Sequence, residues 1–253
     1  MHYHLSQIPE RTAKPRSNGM TMVMDKGLST REVENFIEVA GPYVDIVKLG
    51  WSTSFVTPVL DRKLAIYREA GIPVYFGGTL FEAFIIRDQY EDYKRILDKY
   101  KMEWAEISDG SIILDHSKKC ELIRDLKQHV KVVSEVGSKD AANIMAPYQW
   151  IELMTAELEA GSQYVIAEAR ESGNIGIYRD SGEVRQGLVQ ELLTKIPSEK
   201  ILWEAPQKAQ QTWFIKLIGA NVNLGNIPPN ELIPLETLRL GLRSDTFHHF
   251  LDK

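Results

Sequence analysis

Short apolar runs alternate with longer amphipathic stretches along the whole chain. The short runs are Met20–Met24, Val44–Leu49, Pro73–Phe76, Trp104–Ile107, Val132–Glu135, Tyr164–Ala167, Ile201–Glu204 and Ala220–Leu224. Their richness in Val, Ile and aromatic residues predicts strands. Most lack strict alternation, and near-continuous apolarity is the mark of parallel strands covered on both faces. The stretches between them predict helices at Thr30–Ala40, Pro58–Ala70, Asp88–Tyr100, Ser117–His129, Trp150–Ala160, Val184–Leu193 and Gln207–Ile218. Ser29 is a natural N-cap for the first, and Gly41-Pro42 ends it.

Strand and helix alternating at roughly 25–35 residues per unit predict an α/β protein, a (β/α)8 TIM barrel. One domain is expected to span 1–253, with short extensions at 1–13 and 243–253. A doubly wound open sheet is the alternative, but its glycine-rich first turn is not matched by Asp25-Lys26-Gly27.

Composition narrows the class. Hydrophobic residues make up 43% and charged residues 26% of the 253, which suits a globular chain and excludes a disordered one. Thirty Lys and Arg against 35 Asp and Glu give a net charge of −5, so no nucleic-acid partner is expected. A single cysteine, no apolar run of transmembrane length and no signal-like start favour a cytoplasmic protein with no membrane partner. A homo-oligomer is expected.

In a barrel, chemistry belongs at the C-terminal ends of the strands. Carboxylates recur there. Neighbouring strands are about 4.8 Å apart, so Glu106, Glu135 and Glu168 converge on one small volume. They call for a compensating hard cation such as Mg²⁺, or else for salt bridges with rim bases. Asp25 is a further catalytic candidate and, with Glu204, a reserve ligand. The bases Lys26, Lys48, Lys139 and Arg170 fall at the same end and suggest an anionic substrate. Gly78 and Thr79 after the third run, and Asn223 and Gly225 around the eighth, are candidates for phosphate contacts through backbone N–H groups. No histidine falls at a strand end, which argues against a His-based zinc site or a Ser-His-Asp triad.

The segments RTAKPRSNGMTMVMDKG, DIVKLGWSTS, YFGGTLFE, AEISDGS, SEVGSKD, IAEARESGNIGIY and VNLGNI resemble, in this order, the phosphosulfolactate synthase family. The resemblance runs from about Lys14 to Leu242. It implies a barrel that uses Mg²⁺ to add sulfite to phosphoenolpyruvate, giving (2R)-phospho-3-sulfolactate through an aci-carboxylate. It also points to the lysine of EVGSK, Lys139, as the general acid. The family includes plant heat-stress-associated relatives, so a non-catalytic barrel is one alternative. Another is a barrel aldolase or lyase forming a Schiff base at Lys48 or Lys139. Lys14 and Arg16 precede the first strand, at the end of the barrel away from the chemistry, and are expected in structural salt bridges.

Overall fold

The structure is a computed structural model that describes residues 4–137, 145–170 and 172–251. In chain order its elements are β1 (Thr21–Asp25), α1 (Thr30–Ala40), β2 (Ile46–Leu49), α2 (Thr53–Val56), α3 (Leu60–Glu69), β3 (Val74–Phe76), α4 (Gly78–Ile85), α5 (Tyr90–Lys99) and β4 (Trp104–Ile107). There follow α6 (His116–Leu126), β5 (Lys131–Val136), α7 (Pro147–Ala160), β6 (Tyr164–Ala167), α8 (Gln186–Leu193), β7 (Ile201–Glu204), α9 (Lys208–Ile218), β8 (Leu224–Ile227) and α10 (Leu232–Arg239). The eight strands form one sheet in the order β3-β2-β1-β8-β7-β6-β5-β4, with every ladder parallel. β3 and β4, at the two ends of this order, approach each other, so the sheet curls into a nearly closed (β/α)8 barrel.

Each strand is buried on both faces. The outward side chains, among them Val47, Ala105, Val165 and Trp203, join the helices in the main core. The inward side chains fall into two layers, because side chains alternate with period two along a strand. Ile46, Trp104, Val133, Ile166 and Leu202 form an apolar lower layer. Two residues further along the same strands stand Lys48, Glu106, Glu135, Glu168 and Glu204, all buried. The period that puts an apolar residue inside at the bottom thus puts a charge inside at the top.

The N-terminal end of the barrel is closed by arginines. Arg239 of α10 is fully buried and donates to the carbonyls of Ala220, Val222 and Met20 at 2.6, 2.7 and 3.2 Å. Arg11 pairs with Glu236 at 2.8 Å, Arg16 pairs with Asp45 at 2.9 Å, and Lys14 donates to the Gly41 carbonyl at 3.1 Å. The segment before β1 therefore folds under the barrel, where Arg16 forms a structural salt bridge as expected and Lys14 a hydrogen bond to a backbone carbonyl.

Four elements differ from expectation: α2, α4, α10 and β8. α3 falls within the stretch read as Pro58–Ala70, but the short α2 before it and α10 near the C-terminus were not expected. α4 was not expected: GTLFEAFI is apolar almost all round, and its buried Leu80, Phe81 and Glu82 leave no amphipathic period to read. The eighth strand is Leu224–Ile227 instead of Ala220–Leu224. Ala220 and Val222 are buried because Arg239 holds their carbonyls beneath the barrel, so burial there does not mark a strand. β8 also carries a bulge: Thr21 pairs with Leu224 but Val23 pairs with Ile227, so the register slips by one residue.

Candidate active site

The charged upper layer forms the floor of a cavity of about 470 Å³ at the C-terminal end of the barrel. Lys48, Glu106, Glu135, Glu168 and Glu204 rise from β2 and from the ends of β4 to β7. Gly78, Thr79, Ser111, Arg170, Ser172, Trp51, Met24 and Asn226 form the walls.

Lys48 is the hub. Its Nζ lies 3.0 Å from Glu106 Oε2, 3.4 Å from Glu204 Oε1 and 3.6 Å from Glu135 Oε2. Burial works against its charge, but Glu106, Glu204 and Glu135 outweigh burial and hold the ammonium well above its ordinary value. In this arrangement Lys48 places a positive charge among the carboxylates of the upper layer.

Three carboxylates therefore crowd around one buried ammonium. Burial above all, opposed by Lys48 and reinforced by Glu135, pushes Glu204 up to about 7. Glu204 is also firmly placed, since its Oε2 accepts from the Ala169 N–H at 2.8 Å. One carboxylate oxygen each of Glu135, Glu168 and Glu204 lies within 4.8 Å of the others. Three hard oxygen donors, buried together, suit a divalent cation of the Mg²⁺ class. This trio differs from the set read from the sequence. Glu204, there a reserve, belongs to it, whereas Glu106 is turned toward Lys48 and the β3–β4 seam.

The seam explains Gly78. Its N–H donates to Glu106 Oε1 at 2.9 Å. A Cβ at this position would lie 2.6 Å from that oxygen and 2.2 Å from Ser108 Oγ, so only glycine lets the start of α4 come so close. Gly78 lines the cavity, but its N–H holds Glu106 and is not offered to a phosphate. Just beyond, Glu82 accepts from Ser108 Oγ and, at 3.2 Å, from the Ser111 N–H, fastening the loop after β4 to α4. Gly137 has a similar part after β5. Its φ of 141° is open to glycine, and a Cβ there would lie 2.4 Å from that of Glu168.

The remaining sequence candidates separate. Thr79 and Arg170 line the cavity, with Arg170 exposed at its rim. Lys26 is also at the rim, its Nζ 5.5 Å from the centre of the Trp51 ring. Asp25 does not face the cavity. It points to the helix layer, paired with Lys63 at 2.7 Å and bonded by the Tyr67 hydroxyl at 3.0 Å, and it accepts from the N–H groups of Gly27 and Leu28. Its catalytic assignment is corrected to a structural one, because a residue after the outward Val23 and the inward Met24 must point outward. Asn223 is corrected too. It lies at the N-terminal end of β8, where its side chain accepts from Met20 N at 3.0 Å and donates to the Glu199 carbonyl at 3.0 Å. Gly225 lies inside the strand, and a Cβ there would meet Met22 at 2.9 Å and Leu202 at 3.3 Å. It fills the barrel interior instead of opening a loop to phosphate. Lys139 falls in 138–144, outside the described residues.

Sequence reasoning passed over the Asn226 side chain, whose place depends on the bulge in β8. The readable signal was an asparagine beside a glycine in NLGNI, since asparagine tolerates the left-handed backbone that Asn226 adopts, with φ 54°.

A (β/α)8 barrel with a lysine ringed by carboxylates at its C-terminal end defines a barrel enzyme. Comparison with known proteins makes this specific. Residues 9–245 match the (2R)-phospho-3-sulfolactate synthase (ComA) family, and the chain belongs to that family: it is an enzyme of the lyase type, acting in C–S bond formation. It is 42% identical over 244 residues to the phosphosulfolactate synthase of Methanothermobacter thermautotrophicus, covering 94% of this chain and 95% of the relative. With the phosphosulfolactate synthase of Bacillus subtilis it shares 41% over 244 residues, covering 95% and 97%. The fold is shared more widely. The structure of 3-hexulose-6-phosphate synthase from Salmonella typhimurium superposes with a TM-score of 0.58 at 15% identity, covering 88% of this chain and 100% of that one. The YdjI aldolase from Escherichia coli K12 gives 0.56 at 10% identity, covering 92% and 89%. Among the described residues no helix is long and apolar enough to cross a membrane.

Proposed function

We propose that the chain adds sulfite to phosphoenolpyruvate to give (2R)-phospho-3-sulfolactate, with Mg²⁺ held by Glu135, Glu168 and Glu204. The observation that carries this is the buried layer of four carboxylates around Lys48, in a chain of this family. A site so acidic repels anions unless it is compensated, and both substrates are anions. Bound by the trio, the cation would act as a Lewis acid toward the substrate carboxylate. Lys48 supplies a positive charge among the carboxylates, and Arg170 supplies a planar donor at the rim.

The reaction balances without a redox partner. The sulfur lone pair of sulfite forms a bond to the methylene carbon of phosphoenolpyruvate. The electron pair of the C=C bond moves toward the carboxylate, giving an aci-carboxylate. A proton is then delivered to the carbon that keeps its phosphate. Fixed positive charge beside the carboxylate is the form of catalysis such a step needs. We assign the proton delivery to Lys139 on the resemblance at EVGSK and on its place three residues after Val136, the last residue of β5.

Incubation with phosphoenolpyruvate, sulfite and Mg²⁺ tests this, followed by loss of enol absorbance and by product mass. A product heavier than phosphoenolpyruvate by one sulfite and the accompanying proton is expected. Unchanged phosphoenolpyruvate under these conditions would remove the proposal.

A further inference from the structure

The bulge in β8 has a specific result at the cavity. In a regular parallel ladder the N–H of Asn226 would donate to a β1 carbonyl. Instead it faces Met22 Sδ at 3.4 Å, a weak acceptor. The backbone at Asn226 is left-handed, with φ 54°, and the residue lines the same cavity as Glu204. Asn226 is only 6% exposed, and among the described residues its Oδ1 has no hydrogen-bond partner. Two local departures from ideal structure, a lost ladder bond and an unsatisfied buried amide oxygen, therefore coincide at one residue facing the site. Bulges next to active sites re-aim side chains in this way, and backbone strain that persists at a site points to function.

The chemistry of the amide narrows its use. The floor of the cavity is carboxylates, which accept hydrogen bonds only. A carboxamide is neutral and offers two N–H donors and one acceptor, so it approaches an anionic oxygen without the repulsion a carboxylate would add. We propose that Asn226 is a substrate-orienting residue: its Nδ2 donates to an oxygen of the anionic substrate, a flip of the amide being free to place that donor where Oδ1 finds no partner, and the bulge in β8 presents it for that purpose. This rests on the function proposed above.

Two variants test it. Asn226→Gly keeps the left-handed backbone accessible and removes the amide. Asn226→Asp keeps size and backbone preference but replaces donors with a charge. Phosphoenolpyruvate binding is measured by calorimetry in Mg²⁺ buffer, turnover with sulfite by product mass, and stability by thermal unfolding. In Asn226→Gly, kcat/KM for phosphoenolpyruvate should fall roughly ten- to hundredfold, the worth of one hydrogen bond to a charged group, with an unfolding midpoint close to wild type. Asn226→Asp should lose more and show the larger rise in KM. Variants that bind and turn over like an active wild type would overturn the assignment. So would a lowered unfolding midpoint with KM unchanged, which is the signature of a purely structural residue. A wild type that neither binds phosphoenolpyruvate nor forms product would overturn the proposed function, and this assignment with it.

Discussion

Gly78 donates its N–H to Glu106 Oε1 at 2.9 Å, joining the first residue of α4 to the upper layer across the seam between β3 and β4. The same carboxylate meets Lys48 through its other oxygen at 3.0 Å. Glu106 therefore both closes the barrel and sets the position of the central ammonium. Gly78→Ala should disturb both. Its methyl would start 2.2 Å from Ser108 Oγ, an overpacking that typically costs roughly 1–3 kcal/mol. Urea unfolding should show that loss, and turnover should fall beyond what the remaining folded fraction explains. Wild-type stability and activity in this variant would show that the seam yields freely.

Metal dependence separates the trio from Glu106. Chelation should abolish turnover and Mg²⁺ should restore it. Calorimetric titration should show Mg²⁺ binding weakened strongly by Glu168→Gln or Glu204→Gln and much less by Glu106→Gln, because one oxygen each of Glu135, Glu168 and Glu204 converges within 4.8 Å. Full activity in metal-free enzyme would refute the cation, and equal losses at all four carboxylates would refute the division.

A second buried pair governs acid stability. Lys119 Nζ lies 2.8 Å from Glu157 Oε1 and donates to the Glu135 carbonyl at 2.6 Å, so it ties α6 and α7 to the strand bearing a site carboxylate. Burial opposes the charge on Glu157, but Lys119, joined by His116, outweighs it and holds the carboxyl below its ordinary value. A depressed carboxyl stabilises fully above its unfolded value of about 4.3, and that contribution is lost as pH falls through the lower folded value. Unfolding midpoints should therefore fall on the acid side of about pH 4.3 in wild type and change less there in Glu157→Gln. That variant should be weaker at neutral pH by roughly 3–5 kcal/mol, as for a buried pair stripped of one partner. Parallel acid profiles for the two proteins would remove Glu157 from this role.

Lys139 is tested by stereochemistry as well as rate. Lys139→Ala should still bind phosphoenolpyruvate, while turnover falls by roughly 10²–10⁴, the usual worth of a positioned general acid. The residual product should lose its preference for one enantiomer, since water can protonate either face. Lys139→Arg should not restore the rate, because guanidinium remains protonated. A single enantiomer formed at near-normal rate by Lys139→Ala would mean that another group delivers the proton.

Much of this was readable in the chain. Trp104–Ile107, Tyr164–Ala167 and Ile201–Glu204 coincide with β4, β6 and β7, because short runs of large apolar residues between polar helices have no other place in a barrel. Lys48, Glu106, Glu135 and Glu168 reach one cavity because each ends an inward-facing row, a matter of period two alone. Asp25 was misread for the same reason in reverse: nearness to a strand end was taken as facing inward, without counting sides. Asn223 and Gly225 were misplaced together, and Asn226 passed over, because of the shift of β8. Where the eighth strand begins depends on Arg239 and Met20, distant in sequence, and the bulge depends on register with β1. Neither leaves a local trace. Gly225→Val, which a loop position would have tolerated, would instead drive a branched side chain against Met22 and Leu202.

The apolar layer beneath the charges, with Trp104, Ile166 and Leu202 closing the axis of the barrel, has a kinetic consequence. Among the described residues, these side chains floor the central cavity with packed apolar surface. In the proposed reaction, phosphoenolpyruvate, sulfite and the finished product would share the mouth of this cavity, where Trp51 and Arg170 are among the lining residues. Entry of a new substrate therefore waits for departure of the previous product. For the proposed reaction, the expected kinetic outcome is product inhibition competitive toward phosphoenolpyruvate.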